Sequence, residues 1–281
     1  MIYKTLISAQ DLIEHLNDPD WVIVDCRFSL EDSDHGRKAY LEAHIPGAVY
    51  AHLNDQLSGE IVPGRTGRHP LPEISSFVSN LNNWGIDDSV QVITYDDAGG
   101  ALAAARLWWM LRWLGHNKVA VLDGGWSHWV KLDYPTRTGN EHRKPRLFSP
   151  NPQTDLLVTS EAIERMRQQP DYRLLDSRTS ERFRGENETI DPVAGHIPGA
   201  ISAPYLDNLD NTGQFHSPNT LKKRFEKLLA GVTPERAIFY CGSGVTAAHN
   251  LLAQLHIGMG EGKLYAGSWS EWITDPKRPV D

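Results

Sequence analysis

Cysteine is nearly missing from this chain. Its 281 residues hold two, Cys26 and Cys241, and no CxxC pair. That excludes a disulfide scaffold and a cysteine-rich zinc site. A reducing cytoplasm is the expected compartment, and it suits a protein that must keep a free thiol. Long apolar runs are missing too. No stretch approaches the roughly 18 apolar residues of a membrane span, and the N-terminal Met1-Ile-Tyr-Lys-Thr5 has no long apolar run of a secretory signal. Nor is there an excess of basic residues. The net charge is -8, so no global positive field invites nucleic acid. What remains is a soluble globular composition, 40% hydrophobic and 23% charged, at a length suited to one large or two ordinary domains.

Against that scarcity, one of the two cysteines sits in an informative place. The stretch Phe239-Tyr-Cys-Gly-Ser-Gly-Val-Thr-Ala-Ala-His249 reads as the end of a short apolar strand, a cysteine, a glycine-bearing loop and the start of an apolar helix with Leu251, Leu252 and Leu255. Backbone N–H groups and the positive end of the helix dipole would face the sulfur of Cys241. Such surroundings lower a thiol's pKa and make it a nucleophile. The local pattern alone is equally compatible with a buried structural cysteine.

Self-comparison is the second signal. Val22-Ile-Val-Asp-Cys-Arg27 returns as Arg173-Leu-Leu-Asp-Ser-Arg178, and Ala43-His-Ile-Pro-Gly-Ala-Val49 as Gly195-His-Ile-Pro-Gly-Ala-Ile201. Val92-Ile-Thr-Tyr-Asp-Asp97 corresponds to Ala237-Ile-Phe-Tyr-Cys-Gly242, and Leu122-Asp-Gly-Gly-Trp126 to Tyr265-Ala-Gly-Ser-Trp269. Order is kept and only loop lengths change, so the chain is a tandem repeat. The division falls at residues 1–140, a polar Pro-punctuated linker at 141–154, and residues 155–281. In each half short apolar strands alternate with helices, which predicts a parallel α/β sheet with ligands at the carboxyl ends of its strands. Ser8 and Thr159 stand before matching apolar-periodic runs, as helix N-caps do.

These residues resemble the tandem-domain rhodanese family of sulfurtransferases over nearly the whole chain. The family carries the Asp-x-Arg strand end, the His-Ile-Pro-Gly-Ala turn and a cysteine loop in the second domain only. The loop Cys241-Gly-Ser-Gly-Val-Thr-Ala247 is similar to that of the 3-mercaptopyruvate sulfurtransferases, whereas thiosulfate sulfurtransferases commonly have a more basic loop. The resemblance implies an α/β fold of two tandem rhodanese-like domains, each a mostly parallel sheet flanked by helices. It implies a catalytic second domain and a first domain that covers the site but is inactive, because Asp96 stands where the second has Cys241 and a carboxylate cannot carry a sulfane sulfur. It implies no cofactor and no metal.

The implied reaction is two-step transfer through a Cys241 persulfide. The donor is 3-mercaptopyruvate or, as the alternative, thiosulfate. The acceptor is cyanide, a small thiol or thioredoxin, and a persulfide carrier for a protein acceptor is compatible as well. Gly242, Ser243, Gly244, Val245 and Thr246 would wrap the sulfur, the glycines permitting close backbone approach. The family pairs the loop serine with a histidine and an aspartate of the first domain as a proton relay. Here Ser243, His44 and Asp34 match; His196 repeats His44 in the other half, which fits equally a pair of histidines that fix the turn. Arg182 matches the family's carboxylate-binding arginine. A second arginine, expected shortly before the Gly-His-Ile-Pro turn, is missing from Glu186-Asn-Glu-Thr-Ile-Asp-Pro192, which leaves either Arg184 as its substitute or a weaker recognition of the donor carboxylate. Asp25, Arg27, Asp176 and Arg178 are expected to be structural pairs and Cys26 to be core; Arg65-Thr-Gly-Arg-His-Pro70 is expected to be a polar, solvated loop of the first domain, with a place at the cleft border and Arg68 or His69 reaching a substrate as the lesser alternative. A phosphatase of the same fold would need an arginine six residues after the cysteine, where this chain has Ala247.

Overall fold

The central strands of this chain are runs of apolar residues without polar alternation, the pattern of a parallel sheet covered on both faces. In the computed structural model, which describes residues 2–281, they build two compact units. The first contains the chain up to Gly59, Leu71–Gln153 and Asn211–Phe215. The second contains Glu60–Pro70, Thr154–Asp210 and His216–Asp281.

The first unit has strands β1 (Leu6–Ile7), β2 (Trp21–Asp25), β3 (Val49–Tyr50), β4 (Gln91–Tyr95) and β5 (Val119–Leu122), with helices α1 (Ala9–Ile13), α2 (His35–Glu42), α3 (Leu53–Gln56), α4 (Ile74–Asn83), α5 (Ala103–Trp113) and α6 (Gly125–Lys131). Its sheet order is β1-β5-β4-β2-β3, with every pairing parallel. All residues of β2 and β4 are buried, as is every residue of α5, including Trp108, Trp109 and Trp113. The linker is laid against this unit. Asn151 and Gln153 donate to the carbonyls of Leu114 and Trp113, and Phe148 is buried.

The second unit has α7 (Ser160–Met166), β6 (Arg173–Asp176), α8 (Ser180–Phe183), β7 (Ile201–Ser202), α9 (Pro218–Leu229), β8 (Ala237–Tyr240), α10 (Ala247–His256), β9 (Lys263–Leu264) and α11 (Ser268–Trp272). Its parallel order is β7-β6-β8-β9, and Leu157 bridges Leu264 in parallel where β1 pairs with β5 in the first unit. The repeat is therefore one of topology as well as motif. Ser8 and Thr159 do cap α1 and α7, accepting from the N–H of Asp11 and Ala162 at 3.0 and 3.4 Å. In α9, Pro218 opens the helix behind the Ser217 cap, and Leu221, Phe225 and Leu229 form one buried stripe.

The Asp-x-Arg doublets hold each sheet to its His-Ile-Pro-Gly turn. Arg27 Nη2 lies 2.6 Å from Asp25 Oδ2 and 2.6 Å from the Ala43 carbonyl. Arg178 Nη2 lies 2.7 Å from Asp176 Oδ2 and 2.7 Å from the Gly195 carbonyl. Each guanidinium also covers a tryptophan ring, Trp126 or Trp269. These pairs are the expected structural ones, and losing one partner would strand a buried charge at a cost of about 3–5 kcal/mol.

Candidate active site

Cys241 follows directly on β8, a central strand of its sheet, and α10 starts six residues later. The thiol is buried, 2% exposed, and the Gly244 N–H points at its Sγ from 3.2 Å. Burial pushes the thiol pKa up. The Thr246 hydroxyl and the N–H groups of Ser243, Ala247 and Gly244 bond to the thiolate and outweigh burial, so the pKa falls below the ordinary thiol value. Gly244 has φ +76°, and a side chain there would collide with the Ala266 carbonyl, so only glycine closes this turn. Val245 is buried in the same loop. Cys26 has the opposite environment. Burial, with Asp25 and Asp96 beside it, raises its pKa well above the ordinary value, which fits a core residue.

A second turn supports the loop. Ser268 has φ +57°, an uncommon conformation for a non-glycine residue, and its hydroxyl accepts from the Cys241 N–H at 3.0 Å while donating to the Tyr265 carbonyl at 2.9 Å. Trp269 and Ser270 donate their N–H groups to the carbonyls of Cys241 and Gly242 at 3.0 and 2.9 Å. In the first unit the equivalent of Ser268 is Gly125, φ +55°. There Asp96 occupies the cysteine position and its carboxylate accepts from the N–H groups of Ala98, Gly100, Leu102 and Ala104 at 2.8 to 3.2 Å. The anion cradle survives in the first unit and is filled by a side chain.

The histidine beside Ser243 is His69, not His44. His69 Nδ1 lies 2.7 Å from Ser243 Oγ, with both residues 5% exposed. His44 is fully buried, and its Nδ1 bonds to the Tyr40 carbonyl at 2.8 Å with the ring stacked on Tyr40. His196 repeats this on Phe183, at 2.9 Å from the carbonyl and stacked on the ring. Two equivalent histidines with equivalent bonds are turn fixtures. Asp34 is exposed at the start of α2, and its side chain makes no capping bond among the described residues.

The loop expected to be solvated is likewise part of this site. Glu60–Pro70 belongs to the second unit, where the Arg68 N–H donates to Ser270 Oγ at 3.0 Å. Sequence reading ranked Arg68 and His69 below a solvated loop because nothing local in Arg65–Pro70 signals packing against Ser270, 202 residues further along the chain. The polar character of the loop was the one available clue.

Arg182 stands on α8 with its Nε and Nη2 on Glu188 and its Nη2 also 3.0 Å from Asp191 Oδ2. Asp191 pairs through its other oxygen with Arg68 Nη1, and Glu188 Oε2 takes Arg178 Nη1 at 3.2 Å. The acidic segment thus anchors the arginines from behind. Arg184 takes no part: it is half-exposed and paired with Glu186.

Geometry and fold together define an α/β protein with a buried thiol of lowered pKa, faced by loop N–H groups, at the carboxyl end of a parallel sheet. A Rhodanese-like domain matches the chain twice, over residues 8–132 and 159–275. The chain belongs to the rhodanese-like family. It is 47% identical over 98% of its length, and 97% of the relative's, to the "Probable 3-mercaptopyruvate sulfurtransferase" of Pseudomonas aeruginosa. It is 31% identical to the thiosulfate sulfurtransferase of Bos taurus, covering 97% of this chain and 93% of that one. Among solved structures, the 3-mercaptopyruvate sulfurtransferase from Leishmania major superposes with a TM-score of 0.85 at 30% identity, covering 98% of this chain and 75% of that one.

Proposed function

We propose that this protein is a sulfurtransferase that takes sulfane sulfur from 3-mercaptopyruvate onto Cys241 and passes it to cyanide or a thiol, thioredoxin included, in a reducing cytoplasm. The observation that carries this reading is a buried thiol at a strand end with the loop N–H groups turned on it, Gly244 N–H lying 3.2 Å from Sγ, an arrangement that lowers its pKa. The same groups also suit a persulfide, which is an anion near neutral pH.

The Cys241 thiolate attacks the donor sulfur, so a new S–S bond forms and the donor's C–S bond breaks. The C–S electron pair leaves on carbon as the pyruvate enolate, and the proton of the donor thiol ends on that carbon, giving pyruvate and a Cys241 persulfide anion. Ser243 and His69 are placed to move this proton, one ring nitrogen holding the hydroxyl at 2.7 Å. Arg182 holds the donor's carboxylate. The acceptor then attacks the outer sulfur and restores the thiolate. Thiosulfate as donor is the second reading, favoured by the bovine relative. The donor that gives the larger kcat/KM decides between them.

Intact-mass measurement after mixing with 3-mercaptopyruvate tests the mechanism. The protein gains one sulfur, about 32 Da, and Cys241→Ser gains none. If neither donor adds mass to the wild-type protein, sulfur transfer is ruled out. Ser243→Ala and His69→Ala retain loading from inorganic polysulfide, which needs no enolate protonation, while kcat with 3-mercaptopyruvate falls by about 100-fold.

A further inference from the structure

Strand β3 is the edge of the first unit's sheet, and a cleft of about 240 Å³ opens beside it. Its lining includes Arg37 of α2, Tyr50 of β3, Gln56 of α3, Trp84 just after α4, Asn140 and, from the linker, Arg143. All of these belong to the first unit. The linker is fastened at this place. The Glu141 N–H donates to the Tyr40 hydroxyl at 2.9 Å, and its Oε1 takes Arg137 Nη1 at 3.2 Å and the Gly47 N–H at 3.3 Å. Gly85, φ +74°, lets the chain come close: a Cβ there would lie 3.0 Å from the Lys144 carbonyl oxygen and 3.2 Å from Arg143 Cβ. Arg143 is thus seated at the cleft wall, yet it makes no ion pair among the described residues. Its guanidinium donates only to the Pro19 carbonyl, at 3.3 Å. Burial and the Arg146 charge press its pKa down, with Glu141 acting the other way. Arg37 lies over the Tyr50 ring, 5.4 Å from its centroid, and reaches Asp55 only at 4.0 Å. Glu141, the carboxylate in this lining, is already taken by Arg137.

The second unit builds the same framework without these groups. Phe183 stacks on its turn histidine where Tyr40 does in the first, with no hydroxyl to hold a linker. Ser202 stands in register with Asp176 where Tyr50 stands with Asp25. The fold therefore does not require the cleft's walls. We propose that this cleft binds a small oxyanion, the carboxylate or phosphate group of a metabolite, between Arg37 and Arg143. Guanidinium forks pair with either group. The rings of Tyr50 and Trp84 offer flat faces to the carbon part of such a ligand, and the side-chain amides of Gln56 and Asn140 meet its polar edges. The volume falls below the about 300–1,000 Å³ of drug-sized sites, which sets the ligand at the size of a small metabolite. Its charge would neutralise the unpaired Arg143 and tie the linker to α2.

Hydrogen-exchange mass spectrometry of the full-length protein tests this with malonate and with inorganic phosphate, at an ionic strength held constant with sodium chloride. Backbone exchange in residues 50–56 and 140–143 slows as the probe is raised and levels off, which gives a Kd belonging to this cleft alone. Arg143→Met and Arg37→Met each raise that Kd about tenfold or more, the loss expected for one charge-assisted hydrogen-bonded contact. Arg165→Met, an exposed arginine of α7 in the second unit, leaves it unchanged. Tighter binding of malonate assigns the cleft to carboxylates, and tighter binding of phosphate assigns it to phosphate esters. If Arg143→Met loosens residues 140–143 before any probe is added, Arg37→Met, which leaves the linker untouched, decides. Protection that fails to level off by about 20 mM probe overturns the site. So does a Kd that both substitutions leave unchanged, or protection confined to the residues around Cys241.

Discussion

The two cysteines of this chain differ only in what surrounds them. Both follow buried strands, yet the pKa of Cys26 is driven up and that of Cys241 down. Burial acts upward on both, so the N–H ring and the Thr246 hydroxyl make the difference. Because Cys241's pKa lies below the ordinary thiol value, its thiolate persists at lower pH, and loading loses rate only as pH falls through that depressed pKa. Thr246→Val removes one donor to the thiolate, so the acid limb of the kcat/KM profile moves to higher pH by about one unit; an unmoved limb excludes the hydroxyl as a determinant. Ser268 carries a second cost and gain. Its φ of +57° is strained, and its hydroxyl repays that by holding the Cys241 N–H. Ser268→Ala keeps the strain and loses the bond, and urea unfolding of the second unit should show a loss of about 1–2 kcal/mol.

At the scale of elements, the loop after β4 and the loop after β8 are one device used twice. Asp96 fills the first cradle, and burial raises its pKa to about 6 in spite of four N–H donors. A raised carboxyl pKa means that the folded state binds the proton more tightly than the unfolded chain. That stabilisation is full below about pH 4 and is lost as pH rises to about 6, a swing of about 3 kcal/mol. Urea midpoints of the first unit between pH 4 and 7 should therefore slope downward more in the wild type than in Asp96→Asn, and equal slopes would remove Asp96 from this role. The sheets, both N-caps, the Asp-x-Arg pairs and the Cys241 loop were all legible in the sequence, because each is specified by neighbours along the chain or by its copy in the other half. The Ser268 turn was partly legible, since the repeat sets Ser268 against Gly125. The histidine was misread for a physical reason. The conspicuous His44 is set by a local bond to the carbonyl of Tyr40, four residues away, whereas His69 reaches Ser243 across 174 residues of sequence.

Across the whole molecule, the halves share a framework and differ in what their long loops supply. Both Asp-x-Arg clamps, both turn histidines and both cradles are kept, so a copy of the fold costs little to retain. The novelty lies in Glu60–Pro70, which sits in the first half of the sequence but packs into the second unit, carrying Arg68 and His69 to the Cys241 loop. Its seat is made by Gly67. A Cβ at that position would lie 2.6 Å from the Gly267 carbonyl and 3.2 Å from the Glu271 nitrogen, both backbone atoms that cannot step aside. Gly67→Val therefore lifts the loop without touching Cys241, its N–H ring or Arg182. A shift of about 1 Å in a positioning group costs of order 100-fold in rate, so 3-mercaptopyruvate turnover should fall 10- to 100-fold. Cys241 loading from polysulfide should continue, since the thiolate needs only its own loop. Adding His69→Ala to Gly67→Val should then cost much less than His69→Ala costs alone, because the histidine has already left Ser243. Full additivity of the two substitutions would mean that the loop is seated by something other than the close approach at Gly67.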